Sequence, residues 1–159
     1  ERFTKNDILA AVQPIFLHYD TKIVDARVGA ALASTSYAFG TMKKLGIHMS
    51  FGTDSPIEDM NPIDNLYCAV TRRRLDGQPE GGWHPEECVD IYDAVDAYTA
   101  ESAYAEFEEG VKGRLKPGFY ADLVVLSKNI FEMDPLELHT TKIDATMVDG
   151  KFVFERTGA

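Results

Sequence analysis

Short apolar runs alternate with helical stripes over the first two-thirds of the chain. The apolar run 8–16 predicts a buried strand, and Pro14 should end it because proline cannot donate a hydrogen bond to a neighbouring strand. Residues 36–45 are typical of a helix that ends at Gly46, and a second short strand is predicted at 47–52. Strands and helices that alternate in this way favour a parallel α/β layer.

A further helix start follows the second strand. Asn61 can accept a hydrogen bond from a free amide of the first turn, and Pro62 suits the first helical position because its φ is already set. Ile63, Leu66 and Val70 then fall on one face of this helix. The spacing therefore predicts a helix with one apolar side against the core.

The last third of the chain changes its period. Residues 85–109 are helical in character, whereas 122–126 and 142–148 read as strands. Asp149-Gly150 separates the second of these from another apolar run, which is a strong signal for a two-residue hairpin. We therefore expect an α/β chain with a β-rich tail.

Composition limits the possible functions. The chain has 159 residues, 45% of them hydrophobic, and 26 acidic against 16 basic side chains give a net charge of −10. An acidic protein is a poor partner for nucleic acid, and without an apolar run near about 18 residues a membrane partner is not expected. The length suits one domain but is too short for a complete (β/α)₈ barrel, which needs roughly 200 residues.

Cysteine and leader patterns concern the compartment. Cys68 and Cys88 form neither a CxxC pair nor a disulfide framework, so two buried or half-buried free thiols are expected. The sequence carries no signal-peptide pattern. A cytoplasmic location is the resulting expectation.

Asp54 is the strongest candidate for chemistry. It follows the second predicted strand, at the end where α/β sheets and barrels place their functional groups. A carboxylate there can bind a divalent cation or take a proton from an attacking water. The local sequence alone favours a simpler role, because Asp before Ser55-Pro56 suits a turn. Both interpretations stay open at this level.

The four histidines lie far apart and form no HxH or HExxH motif. His18 follows the first strand and could face the same end of the sheet as Asp54. His84, beside Trp83 in a long loop, could do the same. For each of these two histidines, a position on a surface loop is the simpler interpretation.

Three stretches together resemble the C-terminal part of the amidohydrolase superfamily. They are 45–56 with Asn61-Pro62 and 69–72; 98–104; and 113–126 with 148–151. The nearest similarity is to the branch that contains N-substituted formamide deformylases and exoenzyme regulatory proteins. The resemblance implies an α/β fold, with residues 1–112 as the C-terminal part of a (β/α)₈ TIM barrel. Residues 113–159 would be a segment of a small composite β-sandwich.

The resemblance also implies a function. Residues 10–16 and 47–52 would be barrel strands seven and eight. Asp54 would be the metal ligand and proton shuttle of a hydrolase that cleaves a non-peptide C–N bond with a metal-activated water. The implied cofactor is a divalent metal, zinc by preference, and the implied partner is a small amide-type substrate. The side chains assigned to the substrate pocket are His18, Ser55, Trp83 and His84.

The family's other metal ligands have no counterparts in this sequence. A catalytic metal needs about three protein ligands, so the chain alone is expected to bind no metal and to be inactive, as a C-terminal fragment of a longer enzyme. Two strands cut from a barrel expose an edge and an apolar face, and self-association is therefore expected. The alternative is a self-contained, non-catalytic binding or regulatory domain with an amidohydrolase-like tail.

Overall fold

The computed structural model describes residues 2–157 and contains two separate sheets. In the first, β1 (Ala10–Val12) pairs with β2 (Met49–Phe51) in parallel, with Ala10 opposite Met49. The helices of this part are α1 (Arg2–Lys5), α2 (Leu17–Asp20), α3 (Val24–Val28), α4 (Ala30–Ala33), α5 (Phe39–Lys44), α6 (Pro62–Thr71), α7 (Ile91–Tyr98) and α8 (Ala100–Ala105). Short 3₁₀ turns lie at Pro14–Phe16, Pro85–Glu87 and Pro135–Thr140.

The predicted strands exist but are shorter than their apolar runs. β1 ends two residues before Pro14, which begins a 3₁₀ turn as its missing N–H requires. The helix predicted over 36–45 begins only at Phe39, because Tyr37 has a φ of 52° and lies outside the right-handed helical region. Residues 17–35, which carry no clear helical pattern, form the short helices α2 to α4.

α6 begins as its sequence predicts. The Asn61 side chain accepts a hydrogen bond from the Ile63 N–H at 3.1 Å, and Pro62 occupies the first turn. Ile63 and Leu66 are buried, and the helix ends at Arg72, which has a left-handed φ of 57°. This helix follows the Asp54 loop and packs against the 3₁₀ turn after β1, whereas α7 and α8 pack against β2.

The helical stretch predicted over 85–109 is divided into separate elements. The Asp90 side chain accepts the Asp93 N–H at 2.8 Å and so caps α7. Thr99 has φ −119° and ψ −86°, outside the right-handed helical region. One helix cannot continue through this conformation, so α7 and α8 are separate. The predicted helical character is thus confirmed, but as two helices rather than one.

The tail forms an antiparallel sheet of β3 (Leu123–Leu126), β4 (Ile143–Val148) and β5 (Lys151–Glu155), in that order. Asp149 and Gly150 join β4 to β5, with φ angles of 49° and 73°. Two positive φ values in a two-residue loop match the twist of the flanking strands, so the predicted hairpin is confirmed.

One hydrophobic core joins the helical part to the tail. Ile130 and Leu138 from the tail are buried together with Leu66 and Cys68 of α6. The tail sheet itself is less well covered: Phe152 on β5 is 53% exposed. Within residues 2–157, no helix is long and apolar enough to span a bilayer. Cys68 is buried and Cys88 half-buried, both as free thiols, which confirms the prediction for them.

Candidate active site

The candidate site lies where the two parallel strands end. β1 and β2 run side by side in the same direction, so their carboxyl ends meet at one edge of the sheet. β2 ends at Phe51, and Asp54 follows three residues later at the start of a loop. The chemistry-bearing side chain suggested by the sequence therefore occupies the edge at which α/β folds assemble their sites.

Asp54 has an uncommon backbone conformation and an exposed side chain. Its φ is 57°, in the left-handed region that few residues other than glycine adopt. The Asp54 carbonyl accepts the Ile57 N–H at 2.8 Å, so the turn that the local sequence indicates is present and is closed by the backbone. Among the described residues, no hydrogen bond is found for the Asp54 carboxylate. The turn leaves that carboxylate available to a water, a metal or a substrate.

Asn65 connects the ends of the two strands through hydrogen bonds of its side chain. It is fully buried on α6, and its Oδ1 accepts the N–H of Ile15, which follows β1. Its Nδ2 donates to the Gly52 carbonyl at 2.9 Å and also to the Tyr98 hydroxyl. Sequence reasoning did not single out Asn65. The available signal was a polar amide beside Leu66 on a helix that is otherwise apolar toward the core.

His18 bonds to the loop that follows α6. Its Nδ1 accepts the Leu75 N–H at 3.0 Å, so this nitrogen is unprotonated and anchors the loop after α6. Burial lowers the pKa of His18 below its ordinary value, and the nearby Lys22 ammonium lowers it further. The neutral imidazole that results is suited to accepting this hydrogen bond. A place for His18 in a substrate pocket remains a prediction.

The other pocket residues make contacts of their own. Trp83 is buried, and its indole N–H donates to Asp25 at 3.0 Å. His84 packs edge-on against Trp83, with ring centroids 4.4 Å apart, and its Nδ1 lies 3.1 Å from a Glu86 carboxylate oxygen. The structure brings Trp83 and His84 together, and it leaves Ser55 exposed beside Asp54. Their part in substrate binding stays a prediction.

Arg72 holds the loop after α6 through a buried side chain. It ends α6, and its side chain is fully buried between the rings of Phe39 and Trp83. Its Nε donates to the Trp83 carbonyl at 3.0 Å and its Nη1 to the Tyr37 carbonyl at 2.7 Å. Burial lowers the pKa of Arg72 to about 10, at which the guanidinium remains charged at neutral pH. Arg72 therefore fixes the loop that carries Trp83.

The described residues do not make a complete metal site. Over residues 2–157, no group of three or more His, Cys, Asp or Glu side chains is placed to hold a metal ion. Asp54 offers a single carboxylate, whereas a catalytic metal such as zinc needs about three protein ligands. The residues of this chain thus fit one ligand position and do not by themselves fit a metal centre.

Comparison with known families places the chain clearly. The profile of the amidohydrolase family matches residues 1–154. The chain is 32% identical to the amidohydrolase YtcJ of Bacillus subtilis over 99% of its own length and 30% of that protein's. It is 29% identical to an N-substituted formamide deformylase of Arthrobacter pascens over 75% of its length and 21% of that enzyme's.

Solved structures show the same fold. A metal-dependent hydrolase from Pyrococcus horikoshii superposes with a TM-score of 0.68 at 30% identity, over 85% of this chain and 26% of that one. An amidohydrolase from Thermotoga maritima gives a TM-score of 0.66 at 21% identity, over 98% of this chain and 33% of that one. The described residues thus have an α/β fold like that of amidohydrolases. The chain spans about a third or less of these relatives, and it belongs to the amidohydrolase family.

Proposed function

We propose that this chain is the C-terminal part of a metal-dependent amidohydrolase that hydrolyses a non-peptide C–N bond of a small amide-type substrate. Family membership supports hydrolase activity that depends on a metal. The relative named N-substituted formamide deformylase supports the amide-type bond. In this proposal β1 and β2 are the last two strands of a (β/α)₈ barrel, within residues 1–112, and residues 113–159 belong to a small β-sandwich.

The observation that carries the proposal is the state of Asp54. Its carboxylate is exposed at the carboxyl edge of two adjacent parallel strands, on a backbone with a positive φ. The turn that follows is closed by a backbone hydrogen bond and not by this carboxylate. Uncommon backbone conformations of this kind are concentrated at functional sites. A surface carboxylate that only closed a turn would be expected to bond to the turn itself.

Asp54 supplies proton transfer in this proposal. Its carboxylate accepts a proton from water as the water oxygen forms a bond to the carbonyl carbon of the substrate. The same proton then passes to the substrate nitrogen, the C–N bond breaks, and the amine leaves. One carboxylate thus acts first as general base and then as general acid.

A divalent metal, zinc in our proposal, would lower the pKa of a bound water toward about 7. Asp54 would be this chain's only ligand to that metal, and the remaining ligands would come from residues outside this sequence. It follows that the 159-residue chain alone should bind no catalytic metal and should be inactive.

The test is Asp54→Asn in the full-length protein that the gene encodes. Amine release from a panel of N-substituted formamides and other small amides is measured. Since general acid–base catalysis contributes about 10²- to 10⁴-fold, kcat should fall by about that factor. Glu58→Gln removes a charge from the same loop and should leave kcat near that of the wild type. Wild-type turnover by Asp54→Asn would remove Asp54 from the mechanism.

A further inference from the structure

Asn65 occupies the place of a missing ladder hydrogen bond between the two strands. In the parallel pair, the Ala10 N–H donates to the His48 carbonyl at 2.9 Å. Four residues further along each strand, the equivalent donor to the Gly52 carbonyl would be residue 14. That residue is proline, which has no N–H. Asn65 Nδ2 donates to the Gly52 carbonyl at 2.9 Å and so replaces the absent donor.

The other half of the same amide binds the opposite strand. Asn65 Oδ1 accepts the N–H of Ile15, the first residue after Pro14 that carries one. A side-chain amide has a donor and an acceptor in one plane, as a peptide group does, and Asn65 uses both to join the ends of β1 and β2. The last backbone bond before this point is Gly52 N–H to the Val12 carbonyl, at 3.1 Å.

The joined strand end carries Asp54. Gly52 lies two residues before Asp54, and Thr53 between them is buried. With no hydrogen bond found for the Asp54 carboxylate within residues 2–157, its position depends on the backbone that leads into it. We propose that Asn65 is a positioning residue, which sets the end of β2 against the end of β1 and thereby places the Asp54 carboxylate for proton transfer. This inference rests on the function proposed for Asp54.

Tyr98 provides a matched control within the same network. Its hydroxyl accepts a hydrogen bond from Asn65 Nδ2 but makes no bond to either strand end among the described contacts. Burial raises the pKa of Tyr98 to about 12, so its hydroxyl is neutral throughout the working range of most enzymes. Tyr98→Phe removes a buried hydrogen bond of Asn65 and leaves both strand contacts in place.

The experiment compares Asn65→Ala, Asn65→Asp and Tyr98→Phe in the full-length protein, with amine release from small N-substituted formamides and other amides as the readout. A misplacement of about 1 Å in a reacting group can cost about 100-fold in rate, so kcat of Asn65→Ala should fall by about that factor. KM should change little, because the inferred role concerns Asp54 and not the substrate. Tyr98→Phe should lower the unfolding temperature while kcat stays near the wild-type value.

Asn65→Asp keeps the side-chain size and the acceptor for Ile15 but loses the amide donor to Gly52. It should reproduce the loss of kcat where Asn65→Ala folds poorly. Unchanged kcat in a folded Asn65 variant, an equal loss in Tyr98→Phe, or failure of both Asn65 variants to fold would each overturn the inference. Asp54→Asn in parallel separates the two proposals. Turnover that survives Asp54→Asn, or a wild-type protein that cleaves none of the amides, overturns the proposed function and this inference with it.

Discussion

Gly82 allows the loop after α6 to cross the end of that helix at close range. Its φ is +89°, and a Cβ built at this position would lie 2.5 Å from the Thr71 carbonyl oxygen and 3.2 Å from the Arg72 Cβ. Directly beyond it, the Trp83 N–H donates to the Arg72 carbonyl at 2.8 Å, and Arg72 Nε donates to the Trp83 carbonyl at 3.0 Å. A side chain at 82 would push the loop away from both bonds.

The neighbouring Gly81 offers a control with the same backbone requirement. Its φ is +84°, but a Cβ there would meet nothing within 4 Å. Gly81→Ala should therefore cost only the left-handed conformation of a non-glycine residue, about 1–2 kcal/mol of the free energy of unfolding. Gly82→Ala should cost that amount and a further penalty of about 1–3 kcal/mol for overpacking against backbone atoms, which cannot rotate away as a side chain can.

The assay is urea unfolding of the full-length protein carrying each substitution, with the free energy of unfolding extrapolated to water. Gly82→Ala should be the less stable of the two by at least about 1 kcal/mol. Equal stabilities, or a more stable Gly82→Ala, would refute the argument that the loop and the end of α6 are in close contact at this point.

Two further predictions concern titration and thiol reactivity. The folded-state pKa of His18 is lowered, so its stabilising contribution is present above the unfolded value of 6.5 and is lost as the pH falls through the folded pKa. His18→Asn retains an acceptor for the Leu75 N–H but does not titrate. The unfolding temperature of this variant should therefore fall less steeply from pH 8 to 5 than that of the wild type. Parallel curves would contradict this prediction. For the cysteines, burial raises the pKa of Cys68 to about 12, whereas Cys88 is only half-buried. A thiol reagent at pH 8 should modify Cys88 first and Cys68 only on unfolding, and Cys88→Ser should abolish the early phase; an early phase that survived in Cys88→Ser would contradict the assignment.

Features set by neighbouring residues could be predicted from the sequence. Asn61 and Pro62 start α6 through contacts within one turn, and Asp149-Gly150 needs only its own φ angles to form a hairpin. The division of 85–109 at Thr99 was missed, because an apolar stripe can continue in sequence across a break in the backbone.

Features that join distant parts of the chain could not be predicted in the same way. Asn65 meets Ile15 across 50 positions, and Arg72 meets the Tyr37 carbonyl across 35. Local pattern identifies neither partner, so neither contact was predicted. Asp54 was singled out by its place after a strand, and its proposed role came from the resemblance to a family. The structure adds that its carboxylate takes no part in closing the turn.

We propose that Asp54 belongs to a metal centre that the rest of a longer protein completes. The most direct measurement is a crystal structure of the full-length protein with zinc bound, read for the distance between the metal and the Asp54 carboxylate. An oxygen of Asp54 should lie within about 2.0–2.2 Å of the zinc, beside ligands from outside this chain. A complete zinc site to which Asp54 contributes no oxygen would contradict it.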